Sequence, residues 1–329
     1  MRLTRDRMKC WLAACAAMAA LSPAATRAAD PVKDYPLRPV RIVSGFAAGG
    51  SSDFLVRVLA PKLTERLGQP FIIENRPGAG GAIGTNLVAR ATPDGYTLIF
   101  ISGAFTAHAA SVKTPYDALK DFAWITTIVT YPLVLTVRSD TPAKNTAELI
   151  ALAKKYPGEL NYGLVGIGSV FHLAAELFDS MAGTETVHIP YKGSAEALTD
   201  MIGGRLNFMF MTLTGASPHV RAGRIRAIAI CSKDRSPQIP ELPPVSQVLP
   251  GYDVTSFAGM GATGGSPRPV INRLNRELHA TLFTNDVIKQ FTDAGGDMKP
   301  GSPEDMTRHV AEEIDKWRRV TKARKIEVK

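Results

Sequence analysis

Three glycine-rich stretches carry the residues whose spacing suits anion binding in this chain of 329 residues. The first reads Ser44-Gly45-Phe46-Ala47-Ala48-Gly49-Gly50-Ser51-Ser52-Asp53, and the second Pro77-Gly78-Ala79-Gly80-Gly81-Ala82-Ile83-Gly84. The third reads Gly163-Leu164-Val165-Gly166-Ile167-Gly168-Ser169. Each follows a β-rich run and opens a helical pattern. A helix start exposes unpaired N–H groups and a partial positive charge, and glycine lets a ligand approach that backbone. In open α/β sheets ligands bind beyond the carboxyl ends of strands, where such loops meet. If the first two loops belong to one lobe and the third to another, a carboxylate can be gripped from both sides. The alternative is three ordinary turns, with Asp53 and Ser169 as helix N-caps.

Other chemistry finds no support in the spacing. Gly78, Gly80 and Gly84 give G-x-G-x-x-x-G, which misses the dinucleotide fingerprint, and the next strand ends without an acid for a ribose. No G-x-x-x-x-G-K-[ST] phosphate loop occurs, so no cofactor is expected. Gly166–Ser169 is not G-x-S-x-G, so no nucleophile elbow forms. The histidines, His108, His172, His188, His219, His279 and His309, show no H-x-x-H or H-E-x-x-H spacing for a metal. His172 and Glu176 share a helix face, which is the spacing of a local contact; His172, one turn after Ser169, is also a candidate polar wall of a cleft.

The elements that must hold these loops alternate. Strand candidates are Val40–Ser44, 71–74, Thr97–Ser102, 133–137, 160–162, 187–189, 206–210, Ile225–Ile230 and 254–260. Leu55, Leu59 and Leu63 share a helical face that Gly68 ends, and Pro61 predicts a kink or a break there. Leu173, Leu177 and Met181 form a second stripe, stopped by Gly183. Met306, Val310, Ile314 and Trp317 form a third, with Ser302 and Asp305 as a cap. Strands alternating with helices predict an α/β chain with parallel sheets covered on both faces. Crossings near 131–137 and 252–261 would insert a second lobe into the first. The expected division is a leader at 1–28, a first lobe at 29–132 and 253–329, and a second at 133–252.

The leader expectation rests on Arg2, Arg5, Arg7 and Lys9, an apolar run at 10–21 and small residues at 22–29. That is the pattern of a secretory signal, too short for a membrane span, with cleavage placed near Ala28. Leu12-Ala13-Ala14-Cys15 also reads as a lipid-attachment box, so a lipoprotein is the alternative. Without residues 1–28 the formal charge falls from +9 to +5, from 34 basic and 29 acidic residues. No basic stripe with interleaved aromatics points to nucleic acid. Of three cysteines only Cys231 remains, so an internal disulfide is excluded and a buried apolar role expected. About 300 mature residues exceed one comfortable core, which favours two lobes.

The landmarks also occur in a known order. Tyr35-Pro36-Leu37-Arg38-Pro39-Val40, Ala48-Gly49-Gly50-Ser51-Ser52-Asp53, Glu74-Asn75-Arg76-Pro77-Gly78-Ala79-Gly80-Gly81 and Pro93-Asp94-Gly95-Tyr96-Thr97-Leu98 lead the series. His172-Leu173-Ala174-Ala175-Glu176-Leu177 and His188-Ile189-Pro190-Tyr191-Lys192-Gly193-Ser194 follow. The mature chain thus resembles the Bug-type, TctC-like receptors of tripartite tricarboxylate transporters over essentially its whole length. The resemblance implies a two-lobed periplasmic binding protein of the type II-like fold, with its cleft between the lobes. It implies a monomer that takes an organic acid, is no enzyme, and delivers the acid to membrane permease subunits. A sensor of the same fold acting on a membrane protein is the alternative, and an exported hydrolase a remote one.

In that family backbone N–H groups and two ordered waters meet the ligand carboxylate. Carried over, the positions are Phe46, Ala48, Gly49, Gly50, Asp53, Ala79, Gly80, Gly81 and Ala82. Gly166, Ile167, Gly168, Ser169 and His172 would face them from the other lobe, and Ser102 at a strand end is a further candidate. Two departures bear on the ligand. Ile167 stands where the family usually has asparagine, and Met211 where it often has an aspartate suited to an ammonium group. Together with Phe46 they imply a cavity for an acid with an apolar or aromatic body.

Overall fold

The computed structural model describes residues 34–236, 239–324 and 326. The expected leader lies outside the described residues. Among the described residues nine strands are joined in the order β2-β1-β3-β9-β4-β7-β5-β6, with β8 also on β4. They are β1 (Val40–Ser44), β2 (Phe71–Asn75), β3 (Thr97–Ser102), β4 (Phe122–Arg138), β5 (Asn161–Val165), β6 (Val187–Tyr191), β7 (Phe208–Thr212), β8 (Ile225–Ile230) and β9 (Thr255–Thr263). The result is a two-lobed α/β fold whose sheets share one long strand. Residues Phe122 to Pro132 of β4 pair antiparallel with β9, whereas Leu133 to Arg138 pair with β7 and β8.

Parallel pairing sets the site. β1 runs between β2 and β3, with Ser44 opposite Asn75 and Phe100. β5 likewise runs parallel to β6 and β7. Six strands therefore end in loops that open helices: α1 (Ser51–Leu67), α2 (Ala82–Ala89), α3 (Gly103–Ser111), α5 (Val170–Ala182), α6 (Ser194–Ile202) and α7 (Leu213–Arg221). The helix α4 (Thr146–Lys155) links β4 to β5, and α8 (Arg268–Leu282), α9 (Asn285–Asp293) and α10 (Pro303–Arg324) follow β9.

The apolar stripes lie where their periods require. Leu55, Leu59 and Leu63 are buried on α1, and Gly68 (φ 72°) ends it with its N–H on the Thr64 carbonyl. The expected break at Pro61 does not occur. Pro61 and Arg57 both face solvent, where water can satisfy the Arg57 carbonyl that proline leaves free. Met306, Val310, Ile314 and Trp317 are all at most 3% exposed. Through them α10 packs on α3 and β4 and also reaches α5, bracing both strand groups. Burying each such side chain contributes about 1.5–3 kcal/mol. Ser302 and Asp305 cap α10 reciprocally, each main-chain N–H donating to the other's side chain at 3.0–3.1 Å. Cys231 follows β8, fully buried.

Candidate functional site

The first glycine loop is held from behind by its own helix. Asp53 sits within the first turn of α1, and Gly50, not Asp53, is the N-cap. Asp53 Oδ2 accepts the Gly49 N–H at 2.9 Å and the Arg57 Nε–H at 2.7 Å. Asn75 Nδ2 at the end of β2 donates to Asp53 Oδ1 (3.3 Å) and to the Phe46 carbonyl (3.0 Å). Burial alone would raise the Asp53 carboxyl, but Arg57, the Gly49 N–H and Asn75 hold it below the usual carboxylate range. The loop backbone is thereby fixed, and the Phe46 side chain projects from it.

The second loop winds through left-handed backbone, with φ 48° at Ala79, 64° at Gly80 and 93° at Gly81. It reaches the third loop directly. A β-carbon on Gly166 would lie 2.8 Å from the Gly80 α-carbon, and one on Gly80 would lie 2.9 Å from the Ile167 carbonyl. On the other side of the cleft a β-carbon on Gly193 would lie 2.9 Å from Ala47 Cβ. The two strand groups meet at these two places, and space is enclosed between them.

The third loop rests on a polar chain. Ser169 is the N-cap of α5, accepting the His172 N–H at 3.4 Å. The Gly168 N–H donates to His172 Nδ1 at 3.1 Å, so the neutral ring carries its proton on Nε2. Nε2 faces Glu176 Oε1 at 3.4 Å without a well-aligned hydrogen bond, and the Tyr162 hydroxyl donates to the same oxygen at 3.3 Å. Burial works to raise the Glu176 carboxyl, but His172, Tyr162 and His188 bring it below its ordinary value. His188, on β6, joins the group, with one ligand atom of each of His172, Glu176 and His188 within 4.8 Å of the others. The spacing of the sequence does not reveal this trio, because strand pairing brings His188 in. With Nδ1 engaged by Gly168 and Nε2 protonated, His172 offers no lone pair to a metal, and the chain acts as a brace for the loop.

Three spaces border these loops. The largest, about 690 Å³, is lined by Phe46, Ala79, Gly80, Gly81, Ala82, Gly166 and Ile167 among the expected residues. That volume suits a small organic molecule. A chamber of about 20 Å³, room for one water, is bordered by Phe46, Gly50 and Ser102. Phe46 forms a wall of both. Gly49, Gly50 and Met211 border a third space of about 380 Å³. Ala48, Asp53, Gly168, Ser169 and His172 line none of the three; the last four support the loops from behind. Met211, 3% exposed, is thus parted from Ile167.

Other residues enter the site that spacing alone did not single out. Ser51, Ser52, Ser194, Thr212 and Tyr131 also line the small chamber. Ser194 and Thr212 stand at strand-to-helix junctions like the three glycine loops, and that signal could have found them. His108, Lys113 and Lys192 line the large cavity. His108 is 5% exposed with its Nδ1 unpartnered, and burial pushes its pKa down.

Two lobes whose helix-opening loops meet over an internal cavity define a binding protein of the periplasmic type. The chain belongs to the tripartite tricarboxylate transporter receptor family: the model described as "TctC: Tripartite tricarboxylate transporter family receptor" matches residues 55–326. Protein BugT of Bordetella pertussis is 35% identical over 287 residues, 86% of this chain and 88% of BugT. R. palustris Rpa4515 with adipate is similar at 36% identity and TM-score 0.85, over 89% of this chain and 99% of that one. MatC from Rhodopseudomonas palustris with bound malate is 31% identical, with TM-score 0.83 over 87% and 99% of the two chains. No helix among the described residues is long and apolar enough to cross a membrane.

Proposed function

We propose that the chain is a periplasmic receptor that captures a small carboxylate with an apolar body and hands it, unchanged, to a tripartite tricarboxylate-type membrane permease. The observation that carries this reading is the convergence of six strand-to-helix loops on a cleft where Gly80 meets Gly166. The carboxylate is taken by the backbone N–H groups of the first two loops, and one water in the small chamber links it to the residues there, including Ser102. The body lies in the large cavity against Phe46 and Ile167. In this reading the lobes are 29–132 with 253–329, and 133–252, hinged where β4 and β9 pass between them, and the leader is removed on export. The acids bound by Rpa4515 and MatC, adipate and malate, support carboxylate as the ligand class.

The test is a thermal-shift panel on the mature protein. Organic acids with aliphatic or aromatic bodies are expected to raise the melting point. A ligand at 100-fold its Kd stabilises by about 2.7 kcal/mol, a shift well above noise. Stabilisation by amino acids or citrate, with no response to apolar acids, would contradict the apolar-body reading. No response to any acid would contradict the receptor reading itself.

A further inference from the structure

His108 is a buried histidine whose ring has no hydrogen-bond partner. It stands on α3, 5% exposed, and lines the large cavity. Nδ1 is sealed from solvent without a partner, and Nε2 makes no hydrogen bond among the described residues. The other buried polar side chains at the loops are engaged: Asp53 by Gly49, Arg57 and Asn75, His172 by the Gly168 N–H, and Ser169 by the His172 N–H. Leaving a buried polar group unmade costs about 1–3 kcal/mol, so an orphan at the wall of a binding cavity calls for a partner that arrives with the ligand. Burial pushes the pKa of the ring down, so at pH 7 it is neutral, with one N–H and one lone pair.

The ring edge reaches the second glycine loop. A β-carbon on Gly80 would lie 2.5 Å from His108 Cδ2 and 3.0 Å from His108 Nε2. Nε2 therefore stands beside Gly80, at the place where the second and third loops meet. The loop's own donors are partly engaged there: the Gly81 N–H donates to the Gly78 carbonyl at 3.0 Å, and the Ala82 N–H to the Ala79 carbonyl. No aspartate or glutamate lines the cavity, so no resident carboxylate competes for a donor on the ring. We propose that neutral His108 donates from Nε2 to the ligand's carboxylate beside Gly80, as a binding residue that supplements the loop backbone. The inference rests on the receptor reading and extends it. An anion accepts only, so the proton sits on Nε2 and the lone pair on the sealed Nδ1. The bond forms next to the contact between the loops, which links occupancy of the site to their approach.

The experiment is calorimetric titration of the mature protein with octanoate and with adipate, in the wild type, His108→Phe and His108→Gln, together with nitrogen NMR of the histidine rings. Phenylalanine fills the space without a donor, and the glutamine amide keeps an N–H near the place of Nε2. His108→Phe should weaken both acids by at least about tenfold, the scale of a hydrogen bond to a charged group, and His108→Gln should recover part of the loss. Melting points of the free variants report their folding, and the NMR arm needs no variant to fold. In the free wild type the ring should carry its proton on Nε2, and octanoate should move the Nε2 signal of His108 more than that of His309, which does not line the cavity. Equal affinity in the wild type and His108→Phe, or acid binding that leaves the His108 signals unmoved, overturns the inference and leaves the receptor reading intact. An Nε2 proton already held by the protein before acid is added also overturns it, since the ring then serves the loops and not the ligand. Binding of no carboxylate at all overturns both.

Discussion

Gly80 and Gly166 touch through their backbones: a β-carbon on Gly166 would lie 2.8 Å from the Gly80 α-carbon. Gly166 also has φ 81°, which an L side chain adopts at a cost of about 1–2 kcal/mol. The contact ties the glycine to the approach of the two strand groups, and the dihedral ties it to the shape of its own loop.

Gly166→Ala is therefore expected to lower melting temperature modestly and to weaken ligand binding by at least about tenfold, a loss of about 1.4 kcal/mol. If the lobes open and close as proposed, the strain is common to both forms, whereas the contact with Gly80 exists only where the loops meet. Calorimetry on the variant separates them: unchanged affinity with a lower melting point would mean that the contact plays no part in capture.

Asp53 holds the first loop through Gly49, Arg57 and Asn75, and its carboxyl lies below the usual range. A depressed folded pKa means that the unfolded state takes up the proton first as pH falls. Asp53 thus contributes stability present above about pH 4 and lost as pH falls through its folded value. Asp53→Asn should destabilise the protein by about 1–3 kcal/mol at pH 7 and flatten the acid limb of the stability profile. Chemical denaturation at a series of pH values measures both.

His108 and His309 are each pushed below the ordinary histidine value, burial being the first cause in both. Their contribution is intact above about pH 6.5 and is lost as pH falls through their folded values. The melting temperature should decline across that window, and His309→Gln should reduce the decline. A decline that is the same in the variant would remove His309 from the account.

Ile167 presents an aliphatic side chain to the large cavity. Ile167→Asn should weaken binding of an acid with an apolar body by about tenfold, the scale of small changes in a hydrophobic pocket, with little change in melting temperature. Titration with octanoate checks the direction. An increase in affinity would mean that the ligand presents a polar group to this wall.

Much of the frame was legible in the residues. The β3 and β8 limits coincide with their apolar runs, and Met306, Val310, Ile314 and Trp317 mark the buried face of α10 because their spacing permits one face only. The start of β4 was missed, since Phe122 to Pro132 is threonine-rich and reads as a strand only once β9 lies beside it. The three glycine loops were visible because positive φ and close approach demand glycine. Their division of labour was not. Asp53, Ser169 and His172 turned out to brace loops, since hydrogen-bond direction cannot be read from residue type. Met211 and Ile167 proved to border different spaces, Met211 from within β7 and Ile167 from the loop after β5. Lys113 and Lys192 escaped notice because each is an ordinary surface lysine until the fold brings both to one cavity.

The most direct measurement is native mass spectrometry of the protein as purified, followed by denaturation and identification of what is released. The account predicts a single mass excess per chain, an organic acid on release, and a smaller occupied fraction in Gly166→Ala. Release of a molecule with no acidic group, or an undiminished occupied fraction in that variant, would contradict it.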